Sequence, residues 1–411
     1  MTVDTGNHYL HVPGSPPALL RYNIMHSIRP FTMKPIFFLS ILALLLCGIE
    51  AAAQGCVAIR HFSSCGGNSL SSATLAKGEM QFGTNYRYFK SFRHFRGKEE
   101  EPDRVANGTE VVNWSHAIDF SLTYGFSDRV YGFATLPFVM NERSSLYEHG
   151  REERNKSFSR GLSDIRLGAG YWLIDPARNS KGNLALGLSI KLPTGNYHAT
   201  DIFYNVGPDK TPQVRPVDQS IQPGDGGFGV GLDLQFYQQL ALKIYAYGSG
   251  FYLMNPRETN GVRTFRETLS PVLQNEAIMS VPDQYAVRAG ISYAISVTGL
   301  SLALGARHEG VPVQDLVGGS QGFRRPGTVT SIEPGISFHR NQYSLNLSVP
   351  VALARNRPQS ITDKEMERIT GEARHGDAAF ADYLINLGFS YRFKKKTAVP
   401  SNSMFQLEDT H

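Results

Sequence analysis

From about residue 79 onward the chain alternates apolar and polar side chains with a period of two, the spacing that sends neighbours to opposite faces of a β-strand. Trp114, Ile118, Phe120, Leu122, Tyr124 and Phe126 form one row against Asn113, Ser115, Asp119, Ser121 and Thr123, and His116 is the one break in the apolar row. Leu184, Leu186, Leu188, Ile190 and Leu192 alternate in the same way with Ala185, Gly187, Ser189 and Lys191. The pattern returns over 165–173, 228–236, 285–293, 343–351 and 383–393, with weaker alternation at roughly 79 to 88, 129 to 140, 240 to 252, 300 to 307 and 330 to 338. That makes about twelve strands. In 129–140 and 240–252 both rows carry aromatics, so the period alone leaves their orientation open.

The connections alternate too. Short links near 127–128, 175–182, 237–239, 296–299 and 340–342 are interleaved with long ones at approximately 89–110, 141–160, 194–223, 253–282, 308–328 and 354–379. Short turns on one side and long loops on the other are the habit of outer-membrane barrels. A sheet can cross hydrocarbon only if it closes, because each unpaired amide there costs several kcal/mol. The expected fold is therefore all-β, a single transmembrane antiparallel up-and-down β-barrel of about 12 strands, with N- and C-termini periplasmic, in the cell outer membrane. Aromatics at the row ends suit interfacial girdles: Tyr124 and Phe126, Tyr285 and Tyr293, Phe338 and Tyr343, Tyr391 and Phe393. A soluble sandwich or lipocalin-like barrel with its apolar rows inside is the alternative, and it leaves the loop asymmetry unexplained.

Composition narrows the choice. A mean hydropathy of -0.25 over 411 residues excludes a polytopic helical membrane protein. The 40 glycines recur inside apolar segments, where each would weaken a helix by about 1 kcal/mol. A net charge of +5, spread along the chain, gives no reason to invoke nucleic acid. The apolar stretch Ile36 to Cys47, preceded by Arg29 and Lys34 and followed by Ala51, Ala52 and Ala53, reads as a signal peptide. The organisation expected is 1–32 as upstream over-reading, 33–53 as signal peptide starting at Met33, 54–78 as a periplasmic segment, 79–393 as barrel and 394–411 as a periplasmic tail. An anchoring helix is the alternative, but Gly48 and Glu50 interrupt it. Export would place Cys56 and Cys65 in an oxidising compartment, where they are a candidate disulfide; free thiols or a lipidated Cys56 remain open.

The polar rows supply candidate lumen residues: Asp119, Asp164, Arg166, Lys191, Asp233, Gln235, Lys243, Arg288, Arg307, Glu333, Asn346, Asn386 and Arg392. Two readings stay open. Opposed charges can line a polar path that biases passage, or they can pair across the lumen and fill it. The function expected is passive passage of small solutes, with a filled structural or adhesive barrel as the alternative. A phospholipase-like hydrolase is less favoured. Outside the precursor region the only His-x-Ser is His61-Phe62-Ser63, ahead of the first strand, and His116 and its neighbour Ser115 point to opposite faces. There is no His-Glu-x-x-His, Cys-x-x-Cys or Walker loop, so neither metal nor cofactor is expected.

Three short motifs carry a resemblance. At Gly161-Leu162-Ser163-Asp164-Ile165-Arg166-Leu167, then Lys191-Leu192-Pro193-Thr194-Gly195, then Gly224-Asp225-Gly226-Gly227-Phe228-Gly229-Val230-Gly231, the chain resembles the outer-membrane channel family named for the meta-pathway of phenol degradation. The similarity spans about residues 80 to 393. It implies an outer-membrane barrel taking up small molecules, aromatic or hydrophobic compounds among them. The partners implied are outer-membrane lipid, the barrel assembly machinery and a small-molecule solute. Tyr391-Arg392-Phe393 fits the terminal aromatic strand usual in such barrels, but Lys394-Lys395-Lys396 and the rest of a tail follow it.

Overall fold

The barrel strands pair in chain order, and the last pairs with the first. The computed structural model describes residues 74–176, 178–295 and 299–393. Its twelve barrel strands are β1 Met80–Arg96, β2 Val112–Gly125, β3 Val130–Ser145, β4 in two segments (Asn155–Leu162 and Arg166–Trp172), β5 Gly182–Lys191, β6 Gly229–Ala241, β7 Ile244–Met254, β8 Gln284–Ile295, β9 Leu300–Val311, β10 Gly327–Arg340, β11 in two segments (Tyr343–Ser348 and Val351–Asn356) and β12 Ala378–Phe393. Each pairs antiparallel with its chain neighbour, and β1 closes on β12 with Met80 opposite Phe393 and Tyr86 opposite Leu387. The described chain thus enters and leaves the barrel at the short-turn end. The expected leader, the candidate Cys56–Cys65 disulfide and residues 394–411 lie outside the described residues, as do 296–298 of one short link.

The apolar rows face outward. Phe120, Leu122, Leu186, Leu188, Leu232, Ile291, Leu304 and Leu387 are exposed, whereas Asp119, Ala185, Ser189 and Asp233 between them are buried. A soluble barrel would reverse this arrangement. A girdle marks the short-turn end, where Tyr124 packs edge-on against Phe126, and Tyr343, Tyr391 and Phe393 form a chain of ring contacts. The two strands with aromatics on both rows are resolved by their partners. Tyr131 and Phe133 of β3 turn inward over Gly170 and Gly168, where an added Cβ would come within 2.3 and 2.5 Å of the rings. Tyr247 of β7 lies across Gly290 and Gly305 on β8 and β9 in the same manner.

The turn expected near 237–239 falls instead at Leu242 and Lys243, because Tyr237 is buried against Trp172 and the β6–β7 ladder runs on to Ala241. Strands also outrun the expected boundaries at the long-loop end, where β1 reaches Arg96, β3 reaches Ser145 and β4 begins at Asn155. A helical turn α1 (Asp103–Ala106), a helix α2 (Ile361–Thr370) and two small hairpins, 200–203 with 213–216 and 259–263 with 278–280, punctuate the long loops. Ser360 and Asp363 form a capping box at the start of α2, each side chain taking the other's backbone N–H.

Leu188 sits near mid-height on the outer wall and is 61% exposed. Replacing it with Arg should cost about 2–4 kcal/mol in denaturant unfolding from lipid vesicles. An unchanged transition would mean that this face does not contact acyl chains.

Candidate functional site

The three motifs that lie some thirty residues apart converge on one knot in the wall. Asp164 occupies the break between the two segments of β4, and its carboxylate accepts from the backbone N–H of Gly195 at 2.9 Å and of Asp225 at 3.0 Å. Lys191, at the end of β5, pairs with Asp225, whose other oxygen accepts from Gly227 N–H at 2.9 Å. Thr194 Oγ1 accepts from Ile165 N–H at 2.9 Å. The chains cross so closely that a Cβ on Gly195 would lie 2.8 Å from Gly224 Cα, so only glycine fits there. Pro193, which has no N–H to extend the ladder, stands two residues after β5 ends.

Below the knot a cavity of about 170 Å³ follows the inner wall. Its lining includes Asp119, Asp164, Arg166, Lys191, Asp233, Gln235 and Asn346, and it extends from Gln219 and Arg325 in the long loops to Leu75 and Ser390 at the short-turn end. Tyr131 and Phe133 bring aromatic faces to the same space. The Arg166 guanidinium sits 5.5 Å from the centre of the Phe251 ring, and Ser189 donates to Asp233 at 3.1 Å. Asn85 is buried in the lining, and both polar atoms of its amide lack a partner among the described residues.

The other candidates lie elsewhere. Arg307 and Glu333 are buried and Arg288 is half-buried on the opposite wall, where Arg288 meets Glu333 at 3.2 Å and Arg307 meets Glu309 at 2.7 Å. Tyr247 lies under Arg288, with 5.8 Å between guanidinium and ring centre. Asn386 donates to Ser348 at 3.4 Å, and Arg392 lies 3.8 Å from Glu79 at the short-turn end. Lys243 is a correction: it occupies the β6–β7 turn with a left-handed backbone (φ 71°) and does not face the lumen. Alternation also places Arg87 and Glu309 on the inner wall, where both are buried. Ser115 donates inward to Asn141 at 2.8 Å, whereas His116 faces outward and bonds Tyr86 Oη through Nδ1 at 2.8 Å.

Above the cavity the long loops form a cap held by buried ion pairs that periodicity does not reveal. Arg325 holds Asp218 with two bonds of 2.7 and 2.8 Å, and Arg143 approaches the same carboxylate at 3.5 Å while pairing with Glu148. Arg324 and Asp315 are both fully buried and bond at 3.0 and 2.6 Å. Arg374 joins Asp363 at 2.8 Å to Glu276 at 2.7 Å, linking α2 to the β7–β8 loop. His94 accepts from Val111 N–H at Nε2, so Nδ1 is the nitrogen that donates to Asp377, at 2.6 Å. Removing one member of such a pair leaves an unpaired buried charge, typically costing about 3–5 kcal/mol.

Burial alone would raise the Asp218 carboxyl, but Arg143 and Arg325 overcome it and hold the group well below the usual carboxylate range. Asp377 is depressed likewise, with burial opposed by the His94 hydrogen bond and the charge of Arg104. A depressed carboxyl contributes stability that is complete above its unfolded value, near pH 4, and is lost as pH falls through the lower folded value.

No family model matches the chain, and no curated protein matches it. Among solved structures it is similar to an outer membrane channel from Pseudomonas putida F1, with a TM-score of 0.51 at 14% identity over 78% of this chain and 97% of that one. The β domain of the Bordetella autotransporter BrkA aligns at 0.41 and 12% identity over 77% of this chain and all of that one. The P. putida toluene transporter TodX aligns at 0.39 and 10% identity over 78% and 91%.

Two measurements test the knot and the cap. Asp164→Ala should cost about 1–3 kcal/mol by stranding two backbone donors, read as a lower temperature for the heat-dependent gel shift. Proteolysis of the cap should stay constant from pH 8 to pH 5 and rise only in stronger acid. In Arg325→Ala the onset should move to higher pH, because Asp218 loses a cation; an unmoved onset would remove that pair from the latch. The likeness to the P. putida F1 channel is one of fold, that of an outer-membrane β-barrel.

Proposed function

We propose that the chain is an outer-membrane channel through which small solutes pass without energy input along the cavity beside β1–β6. The observation that carries the reading is the extent of that cavity, lined from the cap to the short-turn end by charged, amide and aromatic side chains. Carboxylates at Asp119 and Asp233 and cations at Arg166 and Lys191 would bias passage by charge. Tyr131 and Phe133 give the same path aromatic surface, which suits a small aromatic solute bearing a polar group better than a bare hydrocarbon. The unpartnered amide of Asn85 offers such a solute a donor and an acceptor. Export by the 33–53 leader and insertion by the barrel assembly machinery belong to the same reading.

A second reading, a filled structural barrel, is favoured by the Arg288–Glu333 and Arg307–Glu309 pairs and by the cap. Conductance separates the two. Purified protein in a planar bilayer should give discrete current steps, and Arg166→Glu should shift permeability severalfold toward cations. Absence of current in both proteins would leave the filled barrel.

A further inference from the structure

The outer wall carries a feature that solute passage does not use. On β1–β4 the outward row runs Tyr88, His116, Met140 and Arg160 in direct register, and the row above it runs Lys90, Trp114, Glu142 and Phe158. Lys90 sits 5.6 Å and Lys156 5.2 Å from the Trp114 ring centre. All of these side chains except Lys90, which stands beside the groove over Trp114, border an open groove of about 1250 Å³, flanked on one side by Asn196, His198 and Thr200 of the β5–β6 loop.

Three cations meet one carboxylate here. Glu142 is engaged by Lys156 at 2.6 Å. Arg160 is exposed and has no hydrogen bond or ion pair among the described residues. On the far wall the row Tyr252, Tyr285, Gly310 and Thr328, in register from β7 to β10, carries no Lys or Arg. Near the rim on β1, by contrast, Arg93 binds both Glu100 and Asp382.

Height identifies what meets this patch. Ten residues of tilted strand separate Trp114 from the girdle at Tyr124, a rise of about 25 Å, which matches the apolar band of a barrel of this kind. Lys90 and Arg160 therefore stand at the headgroup level of the outer leaflet. Directly below them the outward row Tyr86, Ile118, Phe138 and Leu162 offers an apolar surface. Cations above aliphatic and aromatic side chains complement a lipid whose headgroup carries phosphate on a broad glycan and whose body is several acyl chains.

We propose that this groove is a binding site for the phosphorylated glycolipid of the outer leaflet, with Lys90, Lys156 and Arg160 contacting its phosphates and Trp114 and Phe158 packing against its glucosamine and upper acyl chains. The test uses full-length protein in detergent, titrated with purified bisphosphorylated lipid A and followed by native mass spectrometry. The parent should retain lipid A, and the triple variant Lys90→Gln, Lys156→Gln, Arg160→Gln should bind it about tenfold more weakly. Arg93→Gln, outside the groove, should bind as the parent does. The heat-dependent gel shift reports whether each variant is folded, and Lys90→Gln alone, with a smaller loss in the same direction, serves if the triple variant is not. Undiminished binding by folded variants, equal binding of dephosphorylated lipid A, or equal binding of phosphatidylglycerol would each overturn the proposal. Bilayer conductance reads the lumen separately, so either proposal can fail alone.

Discussion

Closure of the backbone hydrogen-bond ladder is the constraint from which the rest follows. Twelve strands present their N–H and C=O groups to hydrocarbon unless each has a neighbour on both sides, and the β1–β12 pairing closes the ring. Closure leaves each strand one face toward acyl chains and one toward the interior. Leu188 and Ser189 are adjacent in the chain yet live in different solvents, one outward and 61% exposed, the other buried at 3%. The direction of the apolar rows is thus set by lipid, in contrast to a soluble barrel that would turn them inward.

Closure also creates an interior that must be dealt with. On the β8–β10 wall it is packed with paired charges and with Tyr247 over a glycine pair. On the β1–β6 wall the side chains leave a cavity between acids, bases and aromatic rings. Buried ion pairs are costly to form and costlier to break, so they contribute definition more than net stability. The same reasoning applies to the cap, where Asp218 of the β5–β6 loop is held by Arg143 at the upper end of β3 and by Arg325 of the β9–β10 loop, and so ties its loop to both.

The motif knot shows how a wall interruption can be stabilised. Breaking β4 at Asp164 frees the N–H of Ile165, which Thr194 Oγ1 takes, while the Asp164 carboxylate takes the N–H groups of Gly195 and Asp225 from the start and end of the long β5–β6 loop. Glycine at both crossing points allows the backbones to touch. Three segments that resemble a channel family in sequence are therefore one structural unit.

Strand number, closure and the outward sense of the apolar rows were legible in the alternation around Phe120 and Leu188 and in the spacing of short and long links. Asp119, Arg166, Lys191 and Asp233 were legible as inward residues for the same reason, since a period of two fixes faces. Lys243 was not, because one strand ran past its polar Gln238-Gln239 to bury Tyr237, and a turn position cannot be read from parity. The Arg325–Asp218 latch, the opposite-wall location of Arg288 and Glu333, and the cluster of Lys90, Lys156 and Arg160 depended on which strands became neighbours and on their register. Local sequence determines which face a side chain takes, because that depends only on adjacent backbone geometry. Which charge it meets across the barrel is decided by closure and shear, which join residues far apart in the chain.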